Sequence, residues 1–94
     1  MRIRWTDPAA RDLTHICDYI RDHDAPTAAR RVALAIYQTV ATLSEFPNRG
    51  RSGRRPNTRE LVFPDLPFLA IYRIRGEVVE VLRILHGAHL RELF

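Results

Sequence analysis

The sequence predicts an α+β fold, a two-layer sandwich of order strand–helix–helix–strand–strand–strand, with an antiparallel helix pair on one face of a mostly antiparallel sheet. Two apolar stripes of helical period follow one another early in the chain. Three short runs rich in β-branched and aromatic residues follow later, and a Gly-containing turn joins the last two.

Each element has a local cause. Arg2 to Trp5 reads as a short strand, with Ile3 and Trp5 on one face and Arg2 and Arg4 on the other. Thr6-Asp7-Pro8 starts a helix, Thr or Asp as cap and Pro just inside, where its missing N–H costs nothing. Ala9, Leu13, Ile16, Cys17 and Ile20 then form one stripe, and Arg11, Asp12, Asp18, Arg21 and Asp22 the opposite face. RDHDAPTAARR breaks that helix and starts a second, with Asp24 as expected cap and Pro26 in the first turn. Ala29, Val32, Ile36, Val40 and Leu43 keep the helical spacing until Phe46-Pro47 ends it. Trp5 and Tyr37 read as core or rim packing, because a small core needs bulk.

Asn48 to Arg59 carries Arg49, Arg51, Arg54, Arg55 and Arg59 with two glycines and a proline, supports neither period, and is expected to be a loop. Strands are expected over Arg59 to Phe63, Phe68 to Ile74 and Val78 to His86. With Gly76 and Glu77 as a two-residue hairpin turn, Arg73 falls opposite Glu80, Tyr72 opposite Val81, Ile71 opposite Leu82 and Ala70 opposite Arg83. Strict alternation then puts Arg83 on a face with Val79, Val81 and Leu85, and His86 on the other with Leu82 and Ile84.

The 94 residues make one domain, 1–94, with room for one core and no elaborate cofactor cradle. A composition 46% hydrophobic and 28% charged is that of a globular domain. No run is long and apolar enough to span a membrane, and MRIRWTDP lacks the apolar core of a signal peptide, so a cytoplasmic location without membrane contact is expected. The single Cys17 excludes a disulfide framework within the chain and reads as a small buried hydrophobe. All fifteen basic residues are arginine and the net charge is +4, a surface suited to acidic protein segments or nucleic acid unless the arginine bias is only a codon preference.

Most catalytic constellations are missing. GRSGRR lacks the length and the Lys-Ser/Thr of a phosphate loop and follows a helix rather than a strand. His15, Asp18 and His23 find no matching ligands on a second element, so neither a metal nor a cofactor is expected. Ser44 and Ser52 have no base or orienting acid assigned to them. The basic loop, Arg73, Arg83 and His86 remain. Arg83 is either a structural ion-pair partner or a functional cation; His86 either caps a strand end or acts as general acid or base.

W-x(3)-A-x(2)-D-L-x(2)-I-x(2)-Y-I from Trp5 to Ile20, P-x-A-A from Pro26, F-P-x-x-G-R from Phe46, T-R-E-L-V from Thr58, P-F-x-x-x-Y-R-I from Pro67 and V-L-R-I-L-H-G-A from Val81 together resemble the RelE/ParE superfamily of bacterial toxins, across nearly the whole chain and in order. The resemblance implies the toxin of a type II toxin–antitoxin module, which arrests growth and is neutralised by a cognate ParD/RelB-like antitoxin; operator DNA is contacted only through that antitoxin. RelE-like members cleave mRNA on the ribosome, whereas ParE-like members inhibit DNA gyrase and are not hydrolases. The position where RelE-like nucleases carry an arginine is Leu69 here, and a terminal tyrosine of some of them is Gly87. A centre without a cation at Leu69 is poorly equipped to stabilise a phosphorane, which favours the ParE-like branch.

The expectation is therefore a gyrase inhibitor. The alternative is a ribosome-dependent mRNA endoribonuclease with Arg83, His86 and Arg59 as catalytic groups, and a further one is a degenerate regulator that only binds antitoxin. Arg49, Arg51, Arg54, Arg55, Arg59, Arg73, Leu90 and Phe94 are the expected target- or antitoxin-binding residues. His89, Leu90, Leu93 and Phe94 have helical spacing and read as a tail on the sheet or a partner contact. The antitoxin segment should be acidic and amphipathic, with apolar residues along the helix pair or sheet edge and carboxylates against the arginines.

Overall fold

The computed structural model describes residues 1–89. Strand β1 is Arg2–Trp5, helix α1 Asp7–His23, helix α2 Pro26–Ala41, β2 Arg51–Ser52, β3 Arg59–Val62, β4 Phe68–Arg75 and β5 Val78–His86; short 3-10 turns cover Thr42–Ser44 and Gly87–His89. The sheet runs β1-β5-β4-β3-β2, with β1 parallel to β5 and every other pair antiparallel. It is the expected sandwich with one strand more, because Arg51 and Ser52, expected within a loop, pair with Glu60 and Arg59. Two residues are too short to show a period in the sequence. Their pairing is set by the Arg51–Glu60 ion pair and by the anchoring of Gly50 described below.

The helix starts differ in chemistry. Thr6 caps α1, its Oγ1 accepting from the Ala9 N–H, and Pro8 sits in the first turn. Asp24 does not cap α2: it is the residue that ends α1, its N–H donating to the Ile20 carbonyl, and α2 begins after Ala25 without a side-chain cap. Pro26 makes this tolerable, since one of the orphan donors is missing from the start.

One face of the sheet meets the helices. Ile36, Val40 and Leu43 pack on Leu61, Phe63, Tyr72, Val79, Val81 and Ile84 in the main core, with Ala9 buried beside them. Trp5 stacks on Tyr37 with ring centroids 5.1 Å apart at the rim. A smaller buried cluster of Leu69, Ile71 and Leu85, flanked by Leu82, forms separately.

The β4–β5 hairpin follows the expected register only near its turn. Arg75 pairs with Val78 across Gly76-Glu77, Gly76 alone in the turn has positive φ (60°), Arg73 faces Glu80 and Tyr72 faces Val81. Beyond that the expectation fails: Ile71 faces Arg83, not Leu82, and Ala70 faces Ile84, not Arg83. A β-bulge inserts Leu82, and the face pattern inverts after it. Val79 and Val81 share the main core with Ile84, while Leu85 joins Leu69 and Ile71.

The bulge has a local cause. β1 ends at Trp5, opposite Val81, so β5 loses its parallel neighbour there. The carbonyls of Val81 and Leu82 accept instead from Thr6 Oγ1, at 2.8 and 3.2 Å, and the Ile84 N–H donates to Asp12 Oδ2 at 3.0 Å. The first turns of α1 thus complete the exposed edge of the strand.

Candidate functional site

Asp12, expected on the solvated face of α1, is instead half-buried and holds Arg83. Arg83 Nε and Nη2 donate to the two carboxylate oxygens of Asp12 at 2.6 and 3.0 Å, and this pairing raises the guanidinium pKa. Of the two readings open for Arg83, the geometry is that of the ion-pair partner. His86 closes β5 opposite Phe68, rings edge to face at 5.7 Å, and its Nδ1 accepts from the Ala88 N–H at 3.0 Å. The Gly87 N–H donates to the Pro67 carbonyl, which turns the chain off the sheet.

Arg83 and His86 line an open groove of about 750 Å³ between α1 and the end of β5, whose apolar wall includes Ile16, Ile20, Val32 and Phe68. His15 and His89 also border it. Arg59 is elsewhere. It faces Tyr72, whereas His86 faces Phe68 from the other side of β4. Four residues along β4 and two strand spacings across separate their Cα atoms by roughly 16 Å. The three candidate catalytic residues are therefore not gathered in one centre. Leu69 is buried between Val62 and Leu85 and brings no cation to His86.

The backbone that carries the loop arginines is anchored by an aromatic residue of β4. Tyr72 is fully buried; its Oη accepts from the Gly50 N–H at 2.9 Å and donates to the Pro47 carbonyl at 2.7 Å. Burial raises its pKa, so the phenol keeps the proton it donates. Arg59 Nη1 reaches the carbonyls of Gly50 and Asn48 at 2.7 and 3.3 Å, and Arg49 Nη1 reaches Thr42 Oγ1 at 2.7 Å. The far half closes on itself through Gly53 N–H to Thr58 O and Thr58 N–H to Arg55 O, with Asn57 in the left-handed region (φ 64°). Arg54, Arg55 and Arg59 border a depression of about 590 Å³ with Ser52 and Asn57.

Two buried glutamates organise the remaining arginines. Arg51 Nε donates to Glu60 Oε1 at 3.0 Å. Glu80 is held by Arg4, by Arg73 Nε at 2.7 Å and more distantly by Arg75 at 3.9 Å. The hydrogen bonds from Arg4 and then Arg73 lower the Glu80 pKa from 4.5 to about 2. Arg2, Arg4 and Arg75 are not among the residues that the sequence marks as site candidates. The outward alternation of Arg2 and Arg4 was visible, but the parallel pairing that brings β1 beside β5 was not. Leu90, Phe94 and the helical spacing expected beyond His89 lie outside the described residues.

Among the described residues no group of three or more His, Cys, Asp or Glu is placed to hold a metal ion, and no helix is long and apolar enough to cross a membrane. His23 Nδ1 contacts the Tyr19 carbonyl at 2.9 Å and its ring stacks on Tyr19; Asp18 pairs with Arg21.

This arrangement of two helices on a five-stranded sheet recurs in known proteins. The chain is similar to a toxin–antitoxin structure described as the chromosomal ParDE system from P. aeruginosa, with a TM-score of 0.86, 32% identity and coverage of 92% of this chain and 95% of that one. It is 47% identical over 86 residues to the putative toxin Y4kP of Sinorhizobium fredii (strain NBRC 101917 / NGR234), covering 92% of this chain and 88% of the relative. Toxin RelE2 of Caulobacter vibrioides is 36% identical over 89 residues, covering 95% and 98%. The class is thus a toxin of a type II toxin–antitoxin module, of the RelE/ParE superfamily. Residues 3–91 match the family model described as the ParE toxin of the type II toxin–antitoxin system parDE, and the chain belongs to that family.

Proposed function

We propose that the chain arrests bacterial growth by binding and inhibiting DNA gyrase, without hydrolytic chemistry of its own, and that a cognate antitoxin neutralises it. The observation that carries this reading is the dispersal of the groups a nuclease would need. Arg83 is committed to Asp12, Leu69 is apolar and buried, and Arg59 lies roughly 16 Å from His86 along and across the sheet. General acid–base catalysis needs its groups within hydrogen-bond reach of one phosphate, and stabilising the developing charge needs a cation there. A binding toxin needs neither.

The antitoxin is read as an acidic amphipathic segment with apolar residues in the groove between α1 and β5 and carboxylates against the arginines. Its complex should weaken as salt rises and after alanine substitution of the loop arginines; a complex indifferent to both contradicts the electrostatic half of this reading. A second reading, ribosome-dependent mRNA cleavage, is favoured by one observation: His86 and Arg83 do border the same groove.

Tightly induced expression of the toxin alone, followed early by parallel assays for double-strand DNA breaks and for codon-phased mRNA cleavage, separates the two. DNA breaks without phased cleavage, retained in a folded His86→Ala variant, are expected. Phased cleavage that precedes DNA damage and disappears in His86→Ala would make the strand end an active site.

A further inference from the structure

The hairpin end of the sheet carries more positive charge than its one buried carboxylate balances. Across β1, β5 and β4, Arg2, Val78 and Arg75 form one row and Arg4, Glu80 and Arg73 the next. Rows two residues apart are about 7 Å apart along the strands, and β1 and β4 are about 10 Å apart across β5. Four arginines therefore mark the corners of a small rectangle, with one carboxylate, Glu80, midway along the side between Arg4 and Arg73. Three of them converge on that carboxylate, which neutralises one. No carboxylate among the described residues, Glu80 included, forms an ion pair with Arg2, and Glu77 in the turn is the remaining acidic residue at this end. Arg2, Arg4, Arg75 and Glu80 line a shallow depression of about 340 Å³ there. The loop depression bordered by Arg54, Arg55 and Arg59 also touches Ile74, so both basic surfaces flank the same end of β4.

We propose that this arginine end of the sheet binds the phosphate backbone of duplex DNA directly and without sequence preference, in departure from the expectation that DNA is met only through the antitoxin. Of the exposed large apolar side chains, Tyr19, Leu34, Tyr37, Phe46 and Val62 belong to other parts of the chain, and Met1 precedes Arg2 but stands in neither row of the rectangle. An acidic peptide gains most of its affinity from apolar anchors, and single-stranded nucleic acid from aromatic stacking. A flat group of guanidinium groups without either fits a duplex backbone, which presents regularly spaced phosphates and little else. Rigid anchoring favours it too: Glu80 holds Arg4 and Arg73 in place, so less side-chain freedom is lost on binding.

The inference goes beyond gyrase inhibition and is tested without gyrase, so either reading can fail alone. The purified full-length toxin is titrated by fluorescence anisotropy against a labelled mixed-sequence 30-bp duplex over a range of salt, with thermal melting of each variant as a fold control. Each neutralised phosphate contributes about −0.9 to the slope of log K against log salt. The expected slope is about −3 or steeper, and Arg2→Gln with Arg75→Gln reduces its magnitude by about two. Arg2→Glu alone, at a residue without an ion pair to lose, weakens binding at least tenfold. Arg30→Gln with Arg31→Gln removes the same charge from the exposed start of α2 and leaves the slope unchanged. The proposal is overturned by absent duplex binding, by an unchanged slope in the Arg2/Arg75 variant, or by equal weakening in the Arg30/Arg31 variant. Tighter binding of single-stranded RNA or polyglutamate than of duplex overturns it as well.

Discussion

Asp12 does three jobs with one carboxylate: both oxygens accept from Arg83 and one also accepts from the Ile84 N–H. Its replacement by Ala strands a half-buried guanidinium and a strand N–H together. The expected loss is about 2 kcal/mol, below the cost of breaking a fully buried pair because the Arg83 side chain keeps 31% of its exposure. Urea unfolding of Asp12→Ala reads it as a lower midpoint at unchanged m-value, and an unshifted midpoint would show that water replaces the pair without cost. Glu80 gives a prediction in pH. Its folded pKa of about 2 lies below the ordinary 4.5, so its ionised form favours the folded state. That contribution is complete above about pH 4.5 and is lost as pH falls toward 2. Stability measured against pH should therefore decline through this window, and Glu80→Gln, less stable at neutral pH, should decline less. Parallel acid limbs in the two proteins would assign the decline to other carboxylates.

At the scale of elements, the basic loop is held by a buried phenol. Tyr72→Phe leaves the Gly50 N–H without its acceptor and should cost about 1–3 kcal/mol, with faster amide exchange at Gly50 and Arg51 than in β4. Equal protection of the loop in both proteins would mean that Arg59 alone secures it. Gly50 is constrained from the other side, since a Cβ there would lie 2.7 Å from the Tyr72 ring and 2.9 Å from the Glu60 carbonyl. Gly50→Ala should therefore be destabilising by about 1–3 kcal/mol, the usual cost of overpacking, and thermal unfolding would show it. The sequence made the helix stripes, the Gly76-Glu77 turn and the Arg73–Glu80 pair legible because each depends on residues near in the chain. It did not reveal the Leu82 bulge. Strict alternation through Val79, Val81, Arg83 and Leu85 is the simplest reading of that run, and what breaks it is the meeting of β5 with Thr6 and Asp12, more than seventy residues earlier.

For the molecule as a whole, the order of elements and the superfamily were readable from motifs spread along the chain, and the arginine clustering marked one of its surfaces. The division of roles among the basic residues was not readable, because it depends on which carboxylate each arginine meets. Arg83 and Arg59 are both candidate catalytic cations in the sequence, yet one is fixed to α1 and the other to the loop backbone. Arg4 and Arg75 gain interest only when β1 and β4 flank β5 and share Glu80. This separation of charges supports the reading of a toxin that binds rather than cuts. The most direct measurement adds purified toxin to purified gyrase, ATP and relaxed plasmid and follows supercoiling and gyrase-linked DNA cleavage. The account predicts lost supercoiling or accumulated linear plasmid, reversed by the cognate antitoxin and unaffected by His86→Ala. Unimpaired gyrase in the presence of a toxin that still cleaves ribosome-bound mRNA would contradict it.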